Sequence, residues 1–385
     1  MIDAGTMQLS DLALFTGVPQ HQNFCRISEL LNTRPMRASS TPRAWVTNPG
    51  FVMEDRYEFA GQEKSLERFL EETDTAALLV IHQGRIVHES YRLTGGTDVR
   101  WLSMSVAKSF ISALIGIAVQ EGHIRSIDDP ISAYVPVEPG SAYDGVAIRS
   151  VLQMSSGARW NEDYSDPEAD ALRLAAATSG AYGGHEGIVA TMVRENAPDT
   201  VCRYNSCDTQ ALASLLRHAT GEHLADYMQT RLAEPLGFNH SGAWVVDPAG
   251  VEMGYAGLNL TARDFATLGE LYLNKGAVGS QQVVPREWVD ASVTPSAPHV
   301  VPGNVVVGGM VVSEGYGYQW WIPAGDRGEF SAVGVYNQYV YVDPTSEVTT
   351  VKLSANRTFG TAEDEAVNRH DETIAMLRAV ARQFD

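Results

Sequence analysis

The alternation of apolar and polar positions is most regular over residues 110–119, where apolar residues recur three or four positions apart. Gly122 follows as a typical helix stop, and the spacing predicts one buried helix over residues 105–121. Ser105 and Lys108 interrupt the apolar pattern at its start, and their spacing puts them on one helix face. Because a lysine is electrostatically unfavourable in the first turn of a helix, Lys108 requires an explanation other than helix stability.

Alternating positions indicate strands in two distant parts of the chain. Residues 76–82 and 85–91 flank Gln83-Gly84, which is a strong hairpin signal. Residues 318–322, 333–342 and 347–353 alternate as well. Helical periodicity predicts further helices at residues 65–72, 208–219, 223–233, 261–273, 283–292 and 364–383.

The order of these elements predicts a discontinuous fold of the α/β (α+β) class. Residues 61–125 and 310–385 would together form an α/β lobe, and residues 126–309 an inserted, mostly helical lobe. Residues 1–60 lack a clear period, so we interpret them as an N-terminal arm on the surface. A catalytic cleft is expected between the two lobes, which is a common place for a pocket.

Composition excludes several classes of function. The 385 residues are 44% hydrophobic and carry a formal net charge of −19, which disfavours nucleic acids and anionic membranes as partners. No apolar run approaches the ~20 residues of a membrane span, and no secretory leader is apparent. Three cysteines are too few for a disulfide framework. We therefore expect a cytoplasmic protein that acts on a small molecule, and a homodimer stays open.

Ser105 and Lys108 are candidates for nucleophilic catalysis. The chain has only four lysines, and Lys108 alone follows a serine by three positions. The tetrad Ser-x-x-Lys also arises by chance about once or twice in a chain of this length, so the spacing alone is weak evidence. A serine hydroxyl needs a proton acceptor, and a lysine can serve if burial or another cation lowers its pKa from ~10.4.

A nearby tyrosine could complete such a site by passing the proton on. Tyr204-Asn205-Ser206 lies just before a predicted helix, whereas Tyr272 lies inside one and is interpreted as a core residue. The sequence contains no Gly-x-Ser-x-Gly elbow, no His-Glu-x-x-His motif and no nucleotide-binding glycine loop. Neither a metal nor an organic cofactor is implied.

These motifs resemble those of the serine β-lactamase and penicillin-binding-protein superfamily. Ser105-Val106-Ala107-Lys108 and Tyr204-Asn205-Ser206 match its first two motifs. The resemblance is greatest to class C β-lactamases and family VIII carboxylesterases, and within these to 6-aminohexanoate-dimer (nylon-oligomer) hydrolases. It implies an antiparallel sheet flanked by helices. Supporting stretches are Tyr143-Asp144-Gly145, Trp160-Asn161-Glu162-Asp163-Tyr164, Leu260-Thr261-Ala262-Arg263-Asp264, Gln319-Trp320-Trp321 and Val342-Asp343-Pro344.

The resemblance also implies a role for each matched residue. Ser105 would be the acylated nucleophile, Lys108 the general base and Tyr204 the proton relay to the leaving group. The backbone N–H groups of Ser105 and Val335 would form the oxyanion hole. The third family motif usually places a cation on a strand, but the matching strand here reads Ala332-Val333-Gly334-Val335. Because that cation contacts a substrate carboxylate, its loss disfavours a β-lactam or peptidoglycan substrate.

Three further residues are predicted to bind the substrate. Tyr164 resembles a substrate-contacting tyrosine of the nylon-oligomer enzymes, with a solvated loop tyrosine as the alternative. Trp321 would flank the pocket; alternatively, the adjacent Trp320 and Trp321 would be a core residue and a rim residue. Ser206 is included because it belongs to the second motif. Asp166 and Asp170 could attract a cationic amine, although solvated carboxylates are common in so acidic a chain.

The sequence therefore predicts a serine hydrolase that forms an acyl-enzyme on Ser105. Its substrate would be a linear amide, like a 6-aminohexanoate oligomer, or a small carboxylic ester. Two alternatives stay open: an acyltransferase that uses the same three side chains, and a non-catalytic binding protein on this fold.

Overall fold

The computed structural model describes residues 9–14, 18–48, 50–164, 166–359 and 364–385. Its strands are β1 (Thr33–Met36), β2 (Val46–Thr47), β3 (Tyr57–Phe59), β4 (Gln62–Lys64), β5 (Thr75–His82), β6 (Arg85–Tyr91), β7 (Trp101–Leu102), β8 (Cys202–Arg203), β9 (Gly242–Val245), β10 (Leu258–Leu260), β11 (Ala277–Val278), β12 (Gln281–Gln282), β13 (Val305–Val307), β14 (Met310–Val312), β15 (Gly315–Tyr316), β16 (Trp321–Ile322), β17 (Phe330–Gly334), β18 (Gln338–Asp343) and β19 (Val348–Ser354).

The α-helices are α1 (His21–Phe24), α2 (Ile27–Leu30), α3 (Leu66–Glu72), α4 (Ala107–Gln120), α5 (Ile148–Leu152), α6 (Asp170–Ala177), α7 (Gly184–Ala190), α8 (Ser206–Thr220), α9 (Leu224–Met228), α10 (Glu234–Leu236), α11 (Ala262–Leu273), α12 (Arg286–Ser292), α13 (Glu365–Asn368) and α14 (His370–Arg382). Short 3₁₀ helices cover Leu9–Leu12, Met104–Val106, Ile131–Ala133, Ala181–Gly183 and Pro298–Val300, and a π-helix covers Gln229–Ala233.

An eight-stranded sheet forms the centre, in the order β15-β16-β17-β18-β19-β5-β6-β2. Its pairs are antiparallel except β2 with β6, and the predicted hairpin at Gln83-Gly84 is confirmed by β5 and β6. The single strand predicted over residues 333–342 is wrong. Tyr336 and Asn337 have φ angles of 69° and 71°, and two successive left-handed residues turn the chain back between β17 and β18.

Helices cover both faces of this sheet, as predicted. Alternate side chains of β5 belong to opposite layers: Leu79 packs in the core that contains α11, and Leu78 in the core that contains α14. Gly269 on α11 lets that helix lie close to the sheet, because a Cβ there would come within 2.5 Å of the Thr349 methyl group. Burial of each such aliphatic side chain contributes about 1.5–3 kcal/mol.

The helix predicted at residues 105–121 begins later than expected. α4 starts at Ala107, because the three residues from Met104 to Val106 form a 3₁₀ turn instead. Nearly all of α4 is buried, and it packs against α8 in the helical part of the chain. Among the described residues, no helix combines the length and the apolar character needed to cross a bilayer.

Both ends of the chain show detail that the periodicity did not indicate. Within the predicted N-terminal arm, β1 pairs antiparallel with β9. The predicted C-terminal helix is divided into α13 and α14, because Arg369 between them has a φ of 65°. The proposed lobe boundaries at residues 60, 125 and 309 stay a prediction.

Candidate active site

A strained turn presents Ser105 between β7 and α4. Met104, just before it, has a φ of 47°, a left-handed conformation that costs about 1–3 kcal/mol and is common at functional sites. The Ser103 hydroxyl donates to the carbonyl oxygen of Ala256 at 3.1 Å, which helps to hold the turn. Ser105 is half-buried and lines a pocket, so its hydroxyl is available to a ligand.

The amine of Lys108 lies within hydrogen-bond reach of Ser105. Its Nζ is 3.1 Å from Ser105 Oγ, 3.1 Å from Ser206 Oγ and 2.9 Å from the carbonyl oxygen of Tyr255. The residue is 2% exposed. Burial lowers the pKa of Lys108 to about 7, although the Glu162 carboxylate opposes this shift. At neutral pH a large fraction of the amine is therefore unprotonated and able to accept a proton.

Tyr204 enters the same site from the short segment between β8 and α8. Its backbone N–H donates to the carbonyl oxygen of Val306 at 2.8 Å, and the Asn205 side chain caps the first turn of α8. The Lys108 amine lies 5.2 Å from the centroid of the Tyr204 ring, and Ser105 acts against burial in setting the pKa of the phenol. Burial raises the pKa of Tyr204, so the phenol keeps its proton at neutral pH.

The structure thus brings together the three side chains for which the resemblance implied catalysis, and their roles stay predictions. The rejected candidate, Tyr272, lies in the core with its ring centroid 4.6 Å from that of Trp320. It is buried, as the helical pattern indicated.

The end of β17 lies directly against the turn that carries Ser105. A Cβ on Gly334 would come within 2.8 Å of the Ser103 carbonyl oxygen and 3.0 Å of the Ser105 backbone nitrogen. Only a residue without a side chain permits this approach. Val335, the next residue, lines the same pocket as Ser105. The end of β17 therefore lies close to the backbone of Ser105, and an oxyanion hole formed by the N–H groups of Ser105 and Val335 stays a prediction.

The pocket above Ser105 has a volume of about 500 Å³, within the range of small-molecule sites. One part of its wall is apolar and comes largely from the β13–β14 hairpin: Val307, Met310, Val311 and Val312, with Trp321 and Val335. The other part is strongly acidic and contains one histidine: Glu162, Asp163, Glu314, Glu365, His370 and Asp371. This lining favours an uncharged or cationic ligand over an anionic one.

The three residues predicted to bind the substrate all lie at this site. The Trp321 ring packs on the Tyr204 ring, with centroids 5.1 Å apart, and lines the pocket. Tyr164 also lines it, but its hydroxyl donates to Glu162 Oε1 at 2.6 Å. Ser206 is buried beneath the Lys108 amine. Contact of any of them with a substrate stays a prediction.

Asp166 and Asp170 are not part of the described pocket lining. Asp170 is buried and forms ion pairs with Arg159 at 3.0 Å and Arg173 at 3.2 Å. Asp166 accepts a hydrogen bond from the Asn161 amide at 2.8 Å. Both carboxylates therefore have structural partners.

Sequence reasoning missed two acidic parts of the site. Glu162 was noted only within a stretch that supports the resemblance, yet it is buried beside Ser206 and Lys108. Glu314 pairs with His370, 56 residues later in the chain. Burial would lower the pKa of His370, but the Glu314 carboxylate outweighs it and raises the pKa to about 8. No local spacing signals either contact.

Glu314, His370 and Asp371 bring three possible metal ligands within 4.8 Å of one another. Glu314 and His370 already neutralise each other, and Asp371 lies in the first turn of α14, where the helix dipole favours an acid. The cluster is therefore explained without an ion.

The chain is similar to known proteins over most of its length. A family model described as Beta-lactamase matches residues 64–374. The chain belongs to the beta-lactamase family. It is 30% identical, over 340 residues, to the 6-aminohexanoate-dimer hydrolase of Paenarthrobacter ureafaciens, and the match covers 86% of this chain and 84% of that protein. As a member of the family, the protein is a hydrolase of this serine hydrolase superfamily.

Solved structures of the family confirm the predicted fold. A Bacillus anthracis protein, inferred to be a 6-aminohexanoate-dimer hydrolase, superposes with a TM-score of 0.83 at 23% identity, and the match covers 94% of each chain. An octameric penicillin-binding protein homologue from Pyrococcus abyssi gives a TM-score of 0.60 at 18% identity, covering 81% of this chain and 75% of that one. At these identities the likeness is one of fold.

Proposed function

We propose that the protein hydrolyses a linear amide or a small carboxylic ester through an acyl-enzyme on Ser105. The single observation that carries this proposal is the 3.1 Å distance between Lys108 Nζ and Ser105 Oγ, at an amine with a pKa of about 7. A serine hydroxyl becomes a nucleophile when a group of matched pKa takes its proton. The half-buried Ser105 opens on a small-molecule pocket, so a carbonyl carbon can reach it.

The proposed reaction has two stages. In acylation, the neutral Lys108 amine takes the proton of Ser105 while Oγ attacks the carbonyl carbon. The resulting oxyanion would bind the N–H groups of Ser105 and Val335. The C–N or C–O bond then breaks, and the leaving group takes the proton back from Lys108 through the Tyr204 phenol. In deacylation, water gives a proton to Lys108 and attacks the ester carbon. The bond between that carbon and Ser105 Oγ then breaks, Oγ takes the proton back from Lys108, and the acid is released with both side chains restored.

Two observations support an amide or ester over a β-lactam. No cation stands before Gly334 on β17 to bind a substrate carboxylate, and five carboxylates lie in the pocket wall. The relative from Paenarthrobacter ureafaciens is named a 6-aminohexanoate-dimer hydrolase. A linear dimer of that amino acid carries an amine at one end and a carboxylate at the other, so its net charge is zero and its amine end suits the acidic lining better than an anionic β-lactam does.

A substrate panel tests the proposal. Purified protein would be given p-nitrophenyl esters, nitrocefin and the linear 6-aminohexanoate dimer, with intact-mass detection of the acyl-enzyme. We expect ester or amide turnover, a covalent adduct on Ser105 and little nitrocefin hydrolysis. Strong nitrocefin turnover would refute the substrate class. Acyl transfer to an added amine or alcohol would favour an acyltransferase, and stable acylation without turnover would favour a binding protein.

The pH dependence of hydrolysis should follow Lys108. The general base must be neutral, so kcat/KM is expected to rise with pH through about 7 and to level off above it. Tyr204 is not expected to add a basic limb, because burial raises its pKa further above neutral. A stopped-flow acylation profile with p-nitrophenyl acetate measures this. A limb near pH ~4–5 instead would identify a carboxylate as the base.

A further inference from the structure

Glu162 is a buried carboxylate in the candidate site for which the proposed reaction has no use. It is 7% exposed and forms part of the pocket wall. Three donors converge on it: the indole N–H of Trp160 on Oε2, and the hydroxyls of Tyr164 and Ser206 on Oε1, at 2.6 and 3.4 Å. An isolated buried carboxylate is costly, so this arrangement requires an explanation.

The donors indicate that Glu162 is ionised. An indole N–H can only donate, which assigns Oε2 as an acceptor, and Oε1 is directed at two hydroxyls. Because Ser206 accepts from Lys108 Nζ, its own proton is free to be donated to Oε1. Burial raises the pKa of Glu162 above its ordinary value, and Lys108 and the three hydrogen-bond donors offset that rise only in part. The geometry is that of an anion held at a fixed place in a water-poor site.

This anion is connected to the general base through one hydroxyl group. Ser206 Oγ accepts from Lys108 Nζ at 3.1 Å and lies 3.4 Å from Glu162 Oε1. The two ionisable groups are thus connected through a single side chain. Charges this close in a buried site interact strongly.

We propose that Glu162 is a positioning residue that sets the basicity of Lys108 and orients its amine through Ser206. The inference rests on the proposed function, in which Lys108 is the general base. Burial alone would make the amine a very weak base, and the fixed carboxylate opposes burial so that the amine remains basic enough near neutral pH. Ser206 fixes one amine N–H, which aims the lone pair toward Ser105.

The other groups around Glu162 do not replace this charge. The neighbouring phenols of Tyr164, Tyr204, Tyr255 and Tyr316 all have raised pKa values because they are buried, so they are neutral near pH 7. Asp163, the adjacent carboxylate, is exposed, so water screens it. Among the described residues, Glu162 is the charged group that raises the pKa of Lys108 against the effect of burial.

The sign of the effect follows directly. A nearby carboxylate stabilises the protonated amine, so Glu162→Gln should lower the pKa of Lys108 by about one unit. The pH at which kcat/KM reaches half of its plateau would fall by the same amount. At pH ~6 the variant would then reach about half of its own plateau, against about a tenth for the wild type. The plateau itself should fall several-fold, because a less basic amine takes the proton less readily.

The experiment compares pH profiles of acylation for wild type, Glu162→Gln and Glu162→Asp, using p-nitrophenyl acetate. Glu162→Asp keeps the charge, so the rising part of its pH profile should stay near that of the wild type. The rising part of the Glu162→Gln profile should move to lower pH. Glu270→Gln is the matched control: it is another buried glutamate, 1% exposed, but it lies on α11 and pairs with Arg43. Its profile should match the wild type.

The proposal would be overturned if the pH profile of Glu162→Gln matched that of the wild type, or if the Glu162→Asp profile shifted as far as the Glu162→Gln profile. If Glu162→Gln does not fold, Ser206→Ala decides, since it removes an acceptor of the charged amine: a lowered limb supports the proposal and an unmoved limb refutes it. Absence of a Ser105 adduct in the wild type refutes the proposed function itself. An adduct in the wild type with no shift in the variants refutes only the role of Glu162.

Discussion

Replacing Ser105 by alanine is expected to reduce hydrolysis by on the order of 10⁴-fold or more. The substitution removes the oxygen that would bond to the carbonyl carbon, while Lys108 and Tyr204 stay in place without a nucleophile to activate. The fold should be unaffected, because the side chain is half-buried at the pocket and not part of the core. Ester turnover, intact-mass detection of the adduct and thermal unfolding measure these three expectations.

A serine on the helix that follows the Ser105 turn serves as a control that separates catalysis from structure. Ser112 lies two helical turns after Ser105 and is buried in α4, so Ser112→Ala should keep turnover and adduct formation. Full activity in Ser105→Ala would refute the assignment. Ser206 would then be the next candidate, since its hydroxyl also lies 3.1 Å from the Lys108 amine; loss of activity in Ser206→Ala alone would identify it.

The parts of the structure that could be predicted are those set by neighbours in sequence. A hairpin needs only a turn dipeptide between alternating residues, and Gln83-Gly84 supplied it for β5 and β6. One helical turn separates Ser105 from Lys108, so their proximity follows from spacing. The scarcity of lysine then made that pair stand out. Tyr204 was predicted to join them because such a site can use a phenol to pass the proton on and because Tyr204 precedes a predicted helix, and the resemblance implied the same residue.

The missed features depend on tertiary contacts. Glu162 is more than 50 residues from Lys108 in sequence, and nothing in its surroundings sets it apart from the many other carboxylates of an acidic chain. The break after β17 depends on left-handed Tyr336 and Asn337, where the local pattern still alternates like a strand. In both cases the information lies in how distant segments pack, and periodicity does not report that.

The same distinction explains why the Lys108 amine is a plausible base. Its sequence position beside an apolar helix predicts burial, and burial lowers the pKa. The sequence does not reveal what keeps the amine from losing all its basicity. In the structure the Tyr255 carbonyl and the Ser206 hydroxyl accept from it, and Glu162 supplies the opposing charge. The usable pKa is thus a balance between local and distant groups.

The close approach of Gly334 to the backbone of Ser103 and Ser105 leads to the second large expected effect. Gly334→Ala should lower kcat by about 10²–10³-fold, the loss typical of one missing oxyanion donor. The new Cβ would meet the Ser103 carbonyl oxygen at 2.8 Å and the Ser105 nitrogen at 3.0 Å. Because these neighbours are backbone atoms that cannot rotate away, the end of β17 must move and carry Val335 with it. Steady-state kinetics and the acylation rate measure the loss.

Gly50→Ala is the control for this substitution, because its Cβ would have only an ordinary contact, 3.6 Å from the Asn48 side chain. It should keep wild-type kcat. Gly334→Ala is expected to cost about 1–3 kcal/mol of stability through overpacking, so activity must be measured well below its unfolding temperature. Lost acylation with unchanged substrate binding would mean that the alanine disturbs the proposed oxyanion hole, where negative charge develops in the transition state. Wild-type kcat in folded Gly334→Ala would show that Val335 is not an oxyanion donor, and the geometry at the end of β17 would then serve packing alone.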